Sequence, residues 1–216
     1  MFGDPVSNPK GWPRKPLSEV SEIGSGIMKG RVYEGVRMLS VPYMRVANVQ
    51  DGHVNLDDVK EIEFPASELE KYRLKAGDVL MTEGGDPDKL GRGALWNGEI
   101  DPCVHQNHVF RVRADGDVIN PVYLVALLGT AYAKRYFLRQ AKQTTGIATI
   151  NKTQISAFPT LCPPIALQSS YADISTNVTT LHGRRAESAA DAEALYQSLT
   201  HRAFTREGQI KLGFGR

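Results

Sequence analysis

Apolar residues recur at alternating three- and four-residue intervals along the back third of the chain. The series runs Leu167, Tyr171, Ile174, Val178, Leu181, then polar Arg185 and Ser188, then Ala192, Leu195 and Leu199. A 3.5-residue repeat held this long predicts a helix whose seam asks for a partner helix lying alongside. At a 1.5 Å rise per residue the seam is about 50 Å long. Arg185 and Ser188 interrupt it in the way register-setting polar positions do.

The pattern ahead of the seam is different. A short helical turn is predicted after Pro16, carrying Leu17, Val20 and Ile23 inward, and Gly24, Gly26 and Gly30 then open a loop past Arg31, Tyr33 and Arg37. Alternation from Val41 to Asn48 predicts a strand. Asp51-Gly52 is a tight-turn dipeptide, so Val54 and Leu56 are expected to return as the second arm of a hairpin. Further strands are predicted over Asp78–Thr82, Gly93–Trp96 and His108–Val112, with a Gly- and Asp-rich loop from Glu83 to Arg92 between them. Asn120-Pro121 is a helix start, a side-chain cap followed by proline at the first helical position, and the helix is expected to continue to about Gln140. Little periodicity follows over Ile147–Ile155. Pro163-Pro164 then form a stiff hinge before the seam helix.

These elements give an α+β reading: a mixed-sheet domain over residues 11–162, followed by a long coiled-coil-type helix over 163–207. Loose ends are expected at 1–10, where Pro5, Asn8 and Pro9 discourage regular structure, and at 208–216.

Composition narrows the class without naming it. A chain of 216 residues, 41% hydrophobic and 23% charged, is ordinary for a soluble protein, and no apolar run approaches a membrane span. With no membrane segment and no leader pattern, a cytoplasmic location is expected. Cys103 and Cys162 are too few for a disulfide framework or a zinc knuckle and read as reduced thiols. The net charge is only +2, yet it is unevenly spread. No acidic residue falls between Asp117 and Asp173, where Lys134, Arg135, Arg139, Lys142 and Lys152 lie. The stretch from Asp51 to Glu70 is acid-rich. A basic face opposite an acidic one suits a protein that orients itself on a polyanion.

Catalytic motifs fail one by one. Asn120-Pro121-Val122-Tyr123 approaches the catalytic loop of amino-methyltransferases but lacks the second proline, and the helix cap is reason enough for it. The glycines of Glu83–Lys89 are not followed by the Gly-Lys-Ser/Thr of a phosphate-binding loop. His105 and His108 would point to opposite faces of a strand, which makes them a poor metal pair beside Cys103. No metal site and no bound cofactor are expected in this chain.

The order of elements is more informative than any one of them. Trp12 with Leu17, the strand around Arg45, Gly77-Asp78-Val79-Leu80, the Gln106 segment, the capped helix, Thr145-Gly146, Pro163-Pro164 and a heptad helix follow one another over residues 11–207. In this the chain resembles one half of a type I restriction-modification specificity subunit: one target recognition domain and one spacer helix. Members of that family carry two such units in tandem, and this chain spans one.

The resemblance implies a subunit without catalysis of its own. It would read double-stranded DNA, guide a modification (methyltransferase) subunit that holds S-adenosylmethionine, and join a restriction subunit in cleavage. A homodimer through the helix would recognise a palindromic, bipartite site. Leu167, Tyr171, Ile174, Val178, Leu181, Ala192, Leu195 and Leu199 would form that contact.

Base reading needs side chains with paired donors and acceptors, and backbone affinity needs cations at the margins. Lys142, Gln143, Thr144 and Thr145 combine charge, amide and hydroxyls after a helix. Asn151 and Lys152 come next, then Lys89 and Arg92, Arg31 and Arg37, and Gln106 with Asn107. Arg45, alone in an alternating strand, reads instead as a structural bridge to backbone carbonyls. The rival reading is an interaction protein whose coiled coil recruits a partner without reading sequence.

Overall fold

In the computed structural model, residues 1–28, 30, 35–86, 90–144 and 147–204 are described, with 143, 144 and 147 given by backbone alone. The central element is a four-stranded antiparallel sheet of strands β2 (Ser21–Ser25), β9 (Val109–Ala114), β5 (Asp78–Thr82) and β7 (Gly93–Leu95), in the order β2-β9-β5-β7. Strand β5 is buried at every position, which is why Val79-Leu80-Met81 reads as an apolar run rather than an alternation. Its pleat still divides two cores. Val79 and Met81 share one face with Ile23, Phe110 and Val112, packed under Leu124, Leu128 and Phe137. Leu80 faces the other way, with Ala94 and Val109, against Met44, Trp96 and Cys103.

A second sheet joins β4 (Lys60–Pro65), β3 (Met38–Met44) and β8 (Val104–His105), with Ile27, Val41, Tyr43, Phe64 and Val104 as a third core. It corrects the hairpin expectation. The strand starts at Met38 and ends at Met44, and Val46–Asn48 is a 3-10 turn. The Asp51-Gly52 turn does form, with the Gln50 N–H donating to the His53 carbonyl, but the returning arm is reduced to one bridge between Val49 and Val54. The strand that pairs with β3 is β4, Val41 opposite Ile62 and Leu39 opposite Phe64. The arms part because Asn48 spends its amide on the Asn55 and Asp58 carbonyls. Arg45 donates to the Asp58 carbonyl at 2.7 Å and its carboxylate at 2.8 Å, the structural bridge anticipated for it.

Helix α1 (Leu69–Tyr72) precedes β5. The capped helix starts where the sequence puts it: Asn120 Oδ1 accepts from the Val122 and Tyr123 N–H groups, and α2 runs Pro121–Leu128. It does not continue to Gln140 unbroken. Helix α2 ends at the Gly129 cap, and Thr130 caps a separate helix, α3 (Ala131–Gln140). Two short strands unseen in the sequence, β1 (Arg14–Pro16) and β12 (Pro159–Leu161), pair antiparallel and tie the two ends of the domain together. The opening residues, expected as a loose arm, carry specific contacts: the Phe2 ring lies 4.7 Å from that of Tyr123, and Trp12 Nε1 donates to the Phe2 carbonyl.

The chain divides into two units, Met1–Ala172 and Asp173–Arg216. Helix α5 (Ile165–Phe204) begins directly after Pro163-Pro164, but its first turns belong to the first unit. Within the second unit Ile174, Val178, Leu181, Leu195 and Leu199 are exposed. Among the described residues no helix is long and apolar enough to cross a membrane.

Candidate nucleic-acid interface

One end of the central sheet collects most of the candidate residues. Strand β2 ends at Ser25 opposite Phe110, β5 ends at Thr82 opposite Val109, and β7 begins at Gly93 opposite Met81. The chain segments 26–37, 83–92 and 106–108 therefore all leave from the same edge. Backbone bonds staple them together. Ile27 N–H donates to the His105 carbonyl, Asn107 N–H to Ile27, and Glu83 N–H to His108. Gly26 makes the first of these approaches possible, since a Cβ there would sit 2.1 Å from the His105 carbonyl oxygen.

A small third sheet adds the segment beyond α3. Strands β10 (Lys142–Thr144) and β11 (Ile147–Thr149) form a hairpin, and β11 pairs with β6 (Gly84–Gly85), which follows β5 directly. A Cβ on Gly84 would lie 2.9 Å from the Ala148 carbonyl oxygen, so glycine is what lets the strands meet. Ile150 N–H donates to the Glu83 carbonyl and fixes the entry to α4 (Lys152–Ser156). Lys142 and Lys152 are exposed, as a phosphate contact requires. Asn151 is exposed too, but its Oδ1 caps α4 by accepting from the Gln154 N–H, and the Gln154 side chain accepts from the Asn151 N–H in return.

Gln106 and Asn107 occupy the turn into β9, both half-buried, with Asn107 Nδ2 at 3.4 Å from His108 Nε2. His108 Nδ1 in turn bonds Glu83 Oε2. Arg92 stands at the mouth of β7, its Nη1 donating to Gln50 Oε1 at 3.0 Å. The two side chains border a cleft of about 390 Å³ between Val46, Ala47 and Val49 on one side and Thr82, Gly84 and Gly85 on the other. Arg37 is not gathered in. It precedes β3, whose far end at Met44 meets the Gln106 turn, and at about 3.3 Å per residue the strand holds it roughly 20 Å away. Lys89, Arg31 and Thr145 lie outside the described residues, as do the side chains of Gln143 and Thr144.

The basic and acidic stretches meet at one point among the described residues. Lys134 Nζ lies 2.5 Å from Asp51 Oδ2, so the two stretches touch and partly neutralise each other. Of the two histidines weighed as a metal pair, His105 is a structural group and His108 is exposed. His105 is buried with Nδ1 2.7 Å from the Val109 carbonyl, and burial pushes its pKa down to about 4. Among the described residues no cluster of His, Cys, Asp or Glu is arranged to hold a metal.

Neither Gln50 nor the Glu83–His108 pair is visible in the sequence. A lone glutamine before a tight turn carries no periodic signal, and both contacts depend on segments far apart in the chain.

No protein-family model matches the chain. It is 23% identical over 176 residues, 81% of its length, to the putative type I restriction enzyme MjaX specificity subunit of Methanocaldococcus jannaschii. It is 25% identical over 196 residues, 88% of its length, to the type I restriction enzyme EcoKI specificity subunit of Escherichia coli K12. In each case it spans 41% of the relative, less than half the length of the curated proteins it matches. Among solved structures, the HsdS subunit from Thermoanaerobacter tengcongensis superposes with a TM-score of 0.55 at 18% identity, over 96% of this chain and 53% of that one. A chain from work on complex assembly and conformational transition of the type I R-M system does so equally, at 0.55 and 18%, over 93% and 51%.

Proposed function

We propose that this relative of the type I restriction enzyme specificity subunits is one DNA-reading half of such a subunit: a single recognition domain carried on a spacer helix. The observation that carries this reading is the convergence of the Gln106 turn, the 83–92 segment and the Lys142–Lys152 segment on one edge of the central sheet. Lys142 and Lys152 contact phosphates, which sets register and gives affinity without sequence information. Gln106, Asn107 and Gln143 offer amide donors and acceptors of the kind that read base edges. Lys89, Arg31, Thr144, Thr145 and Asn151 complete the candidate set, and Arg37, at the far end of β3, falls outside it.

The exposed seam of α5 supports the second half of the reading. Two copies joined through Ile174, Val178, Leu181, Ala192, Leu195 and Leu199 would hold two identical readers about a two-fold axis, whereas Leu167 and Tyr171, expected in the same seam, are half-buried in the first unit, Tyr171 with its ring 5.5 Å from that of Phe2. Their DNA site would be two mirrored half-sites separated by a gap that the helix length sets. Methyl transfer to adenine would be the work of a modification subunit with its own S-adenosylmethionine, and cleavage that of a restriction subunit. This chain supplies the address.

The test is duplex binding by the chain co-purified with a type I modification (methyltransferase) subunit. The target comes from mapping methylated adenines genome-wide in cells expressing both. Affinity for that duplex should fall steeply with salt, by a log–log slope of about −0.9 per phosphate contacted, and should exceed affinity for a scrambled duplex at every salt concentration. A flat salt response with equal affinity for both duplexes favours recruitment through the coiled coil and overturns the reading.

A further inference from the structure

The five described arginines that are not fully exposed differ in what neutralises them. Arg45 is paired with Asp58, Arg73 with Asp101 and Glu70, Arg111 with Glu22, and Arg113 with Asp78. These four bind the fold together. Arg92 is half-buried like them, but among the described residues its side chain is met by an amide, Gln50 Oε1, and by no carboxylate. Among the described residues its charge is oriented without being cancelled.

The orientation is deliberate in the chemical sense that both ends of the Gln50 amide are used. Gln50 Nε2 donates to the Ala47 carbonyl at 2.8 Å, which turns Oε1 toward Arg92 Nη1. The backbone of Gln50 is held in turn by the His53 carbonyl. A guanidinium fixed in this way presents its remaining N–H groups as a rigid fork, the geometry that matches paired acceptors. The space it borders is the cleft lined by Val46, Val49, Thr82, Gly84 and Gly85, a surface of mixed apolar and polar character.

We infer that Arg92, braced by Gln50, is a specificity-determining residue that reads a guanine through its O6 and N7 acceptors. It is not one of the phosphate contacts. The inference rests on the DNA-reading function proposed above and goes further by assigning one base to one pair of side chains. A fork can also grip a phosphate, but Arg92 is recessed at a cleft while Lys142 and Lys152 stand exposed where phosphates pass, so the base edge is the partner its position favours. A guanine major-groove edge is the base edge with two acceptors side by side.

The experiment uses the full chain with its modification subunit and the duplex identified by methylation mapping. Each guanine of the target is replaced in turn by 7-deazaguanine, which removes the N7 acceptor and leaves the pairing edge intact. The wild-type complex should lose about tenfold in affinity at one guanine position. Arg92→Lys, which keeps the charge and loses the fork, should bind the unmodified target about tenfold more weakly and show no further loss at that same position. Gln50→Ala should give the same pattern in milder form, with the salt slope unchanged in both variants. Equal weakening on target and scrambled duplexes, with the slope smaller by about one, would make Arg92 a phosphate contact and overturn the inference while leaving the function intact. A target without guanine, or 7-deazaguanine losses that persist undiminished in Arg92→Lys, overturns it as well. Failure of the wild type to prefer its target removes both readings.

Discussion

The backbone N–H of Asn120 donates to Gln168 Oε1 at 2.9 Å, while the Asn120 side chain caps the helix that follows it. One residue thus starts α2 with its side chain and anchors the beginning of α5 with its backbone. Gln168 is fully buried, and its Nε2 donates to the Val118 and Pro163 carbonyls. The joint after Pro163-Pro164 is a clamp where a hinge was expected.

Gln168→Leu should therefore be costly. It strips three partners at once and leaves one N–H and two carbonyls unsatisfied in a buried place. We expect a loss of about 3 kcal/mol, seen as a lower midpoint in urea at unchanged slope. A loss below about 1 kcal/mol would mean that water replaces the amide.

Asp78→Asn should act through the sheet. Asp78 is 1% exposed and accepts from Arg113 Nε at 2.7 Å, Arg113 Nη2 at 2.8 Å and the Lys75 N–H at 2.7 Å. Removing the carboxylate leaves the Arg113 guanidinium without its hydrogen-bonded counter-charge, with Glu22 on the neighbouring strand acting only through space. Arg113 reaches water at its outer end, so the cost belongs at the lower end of the range for broken buried pairs, about 3 kcal/mol by denaturant titration.

How much of this was legible beforehand depends on the range of the interaction. Asn120-Pro121 and Asp78–Thr82 were read correctly because a cap and a buried apolar run are local signals. The pairing of β3 with Lys60–Pro65 is masked in the sequence because its core residues Ile62 and Phe64 alternate with Glu61 and Glu63 in an acid-rich stretch. Pairing of β6 with β11 was invisible for another reason: it joins two glycines to a segment some sixty residues away, and no local propensity encodes that. Yet this pairing gathers the candidate site. The candidate residues were nameable from their chemistry, while their convergence, the exclusion of Arg37 and the brace on Arg92 follow only from the fold.

Acidification should weaken the protein through His105. Its pKa is pushed from 6.5 down to about 4 by burial, so the folded state resists protonation and the unfolded chain takes up the proton first. The contribution to stability is complete above pH 6.5 and is lost as pH falls from there toward 4. At pH 5 the loss amounts to about 2 kcal/mol, before most carboxylates titrate. His105→Gln should flatten the stability profile between pH 6.5 and 5 in urea titrations at fixed salt. An unchanged slope in that window would assign the effect elsewhere.

The seam on α5 yields the prediction on which the spacer reading stands. Leu181 and Leu195 are 62% and 61% exposed in the single chain, a large apolar area left in water along a regular 4-3 stripe. Burying a leucine is worth about 1.5–3 kcal/mol, and two copies in contact bury each residue twice. Leu181→Glu with Leu195→Glu in one chain puts four charges into the seam of a dimer and leaves the Met1–Ala172 unit untouched. Light scattering should give a dimer for the wild type at micromolar concentration and a monomer for the double variant, with thermal unfolding of the first unit unchanged. On DNA the variant should lose the advantage of two mirrored half-sites and bind a single half-site as the wild type does. A wild-type monomer, or a double variant that still dimerises, would mean that the stripe does not zip against a second copy, and the mirrored-site reading would fall with it.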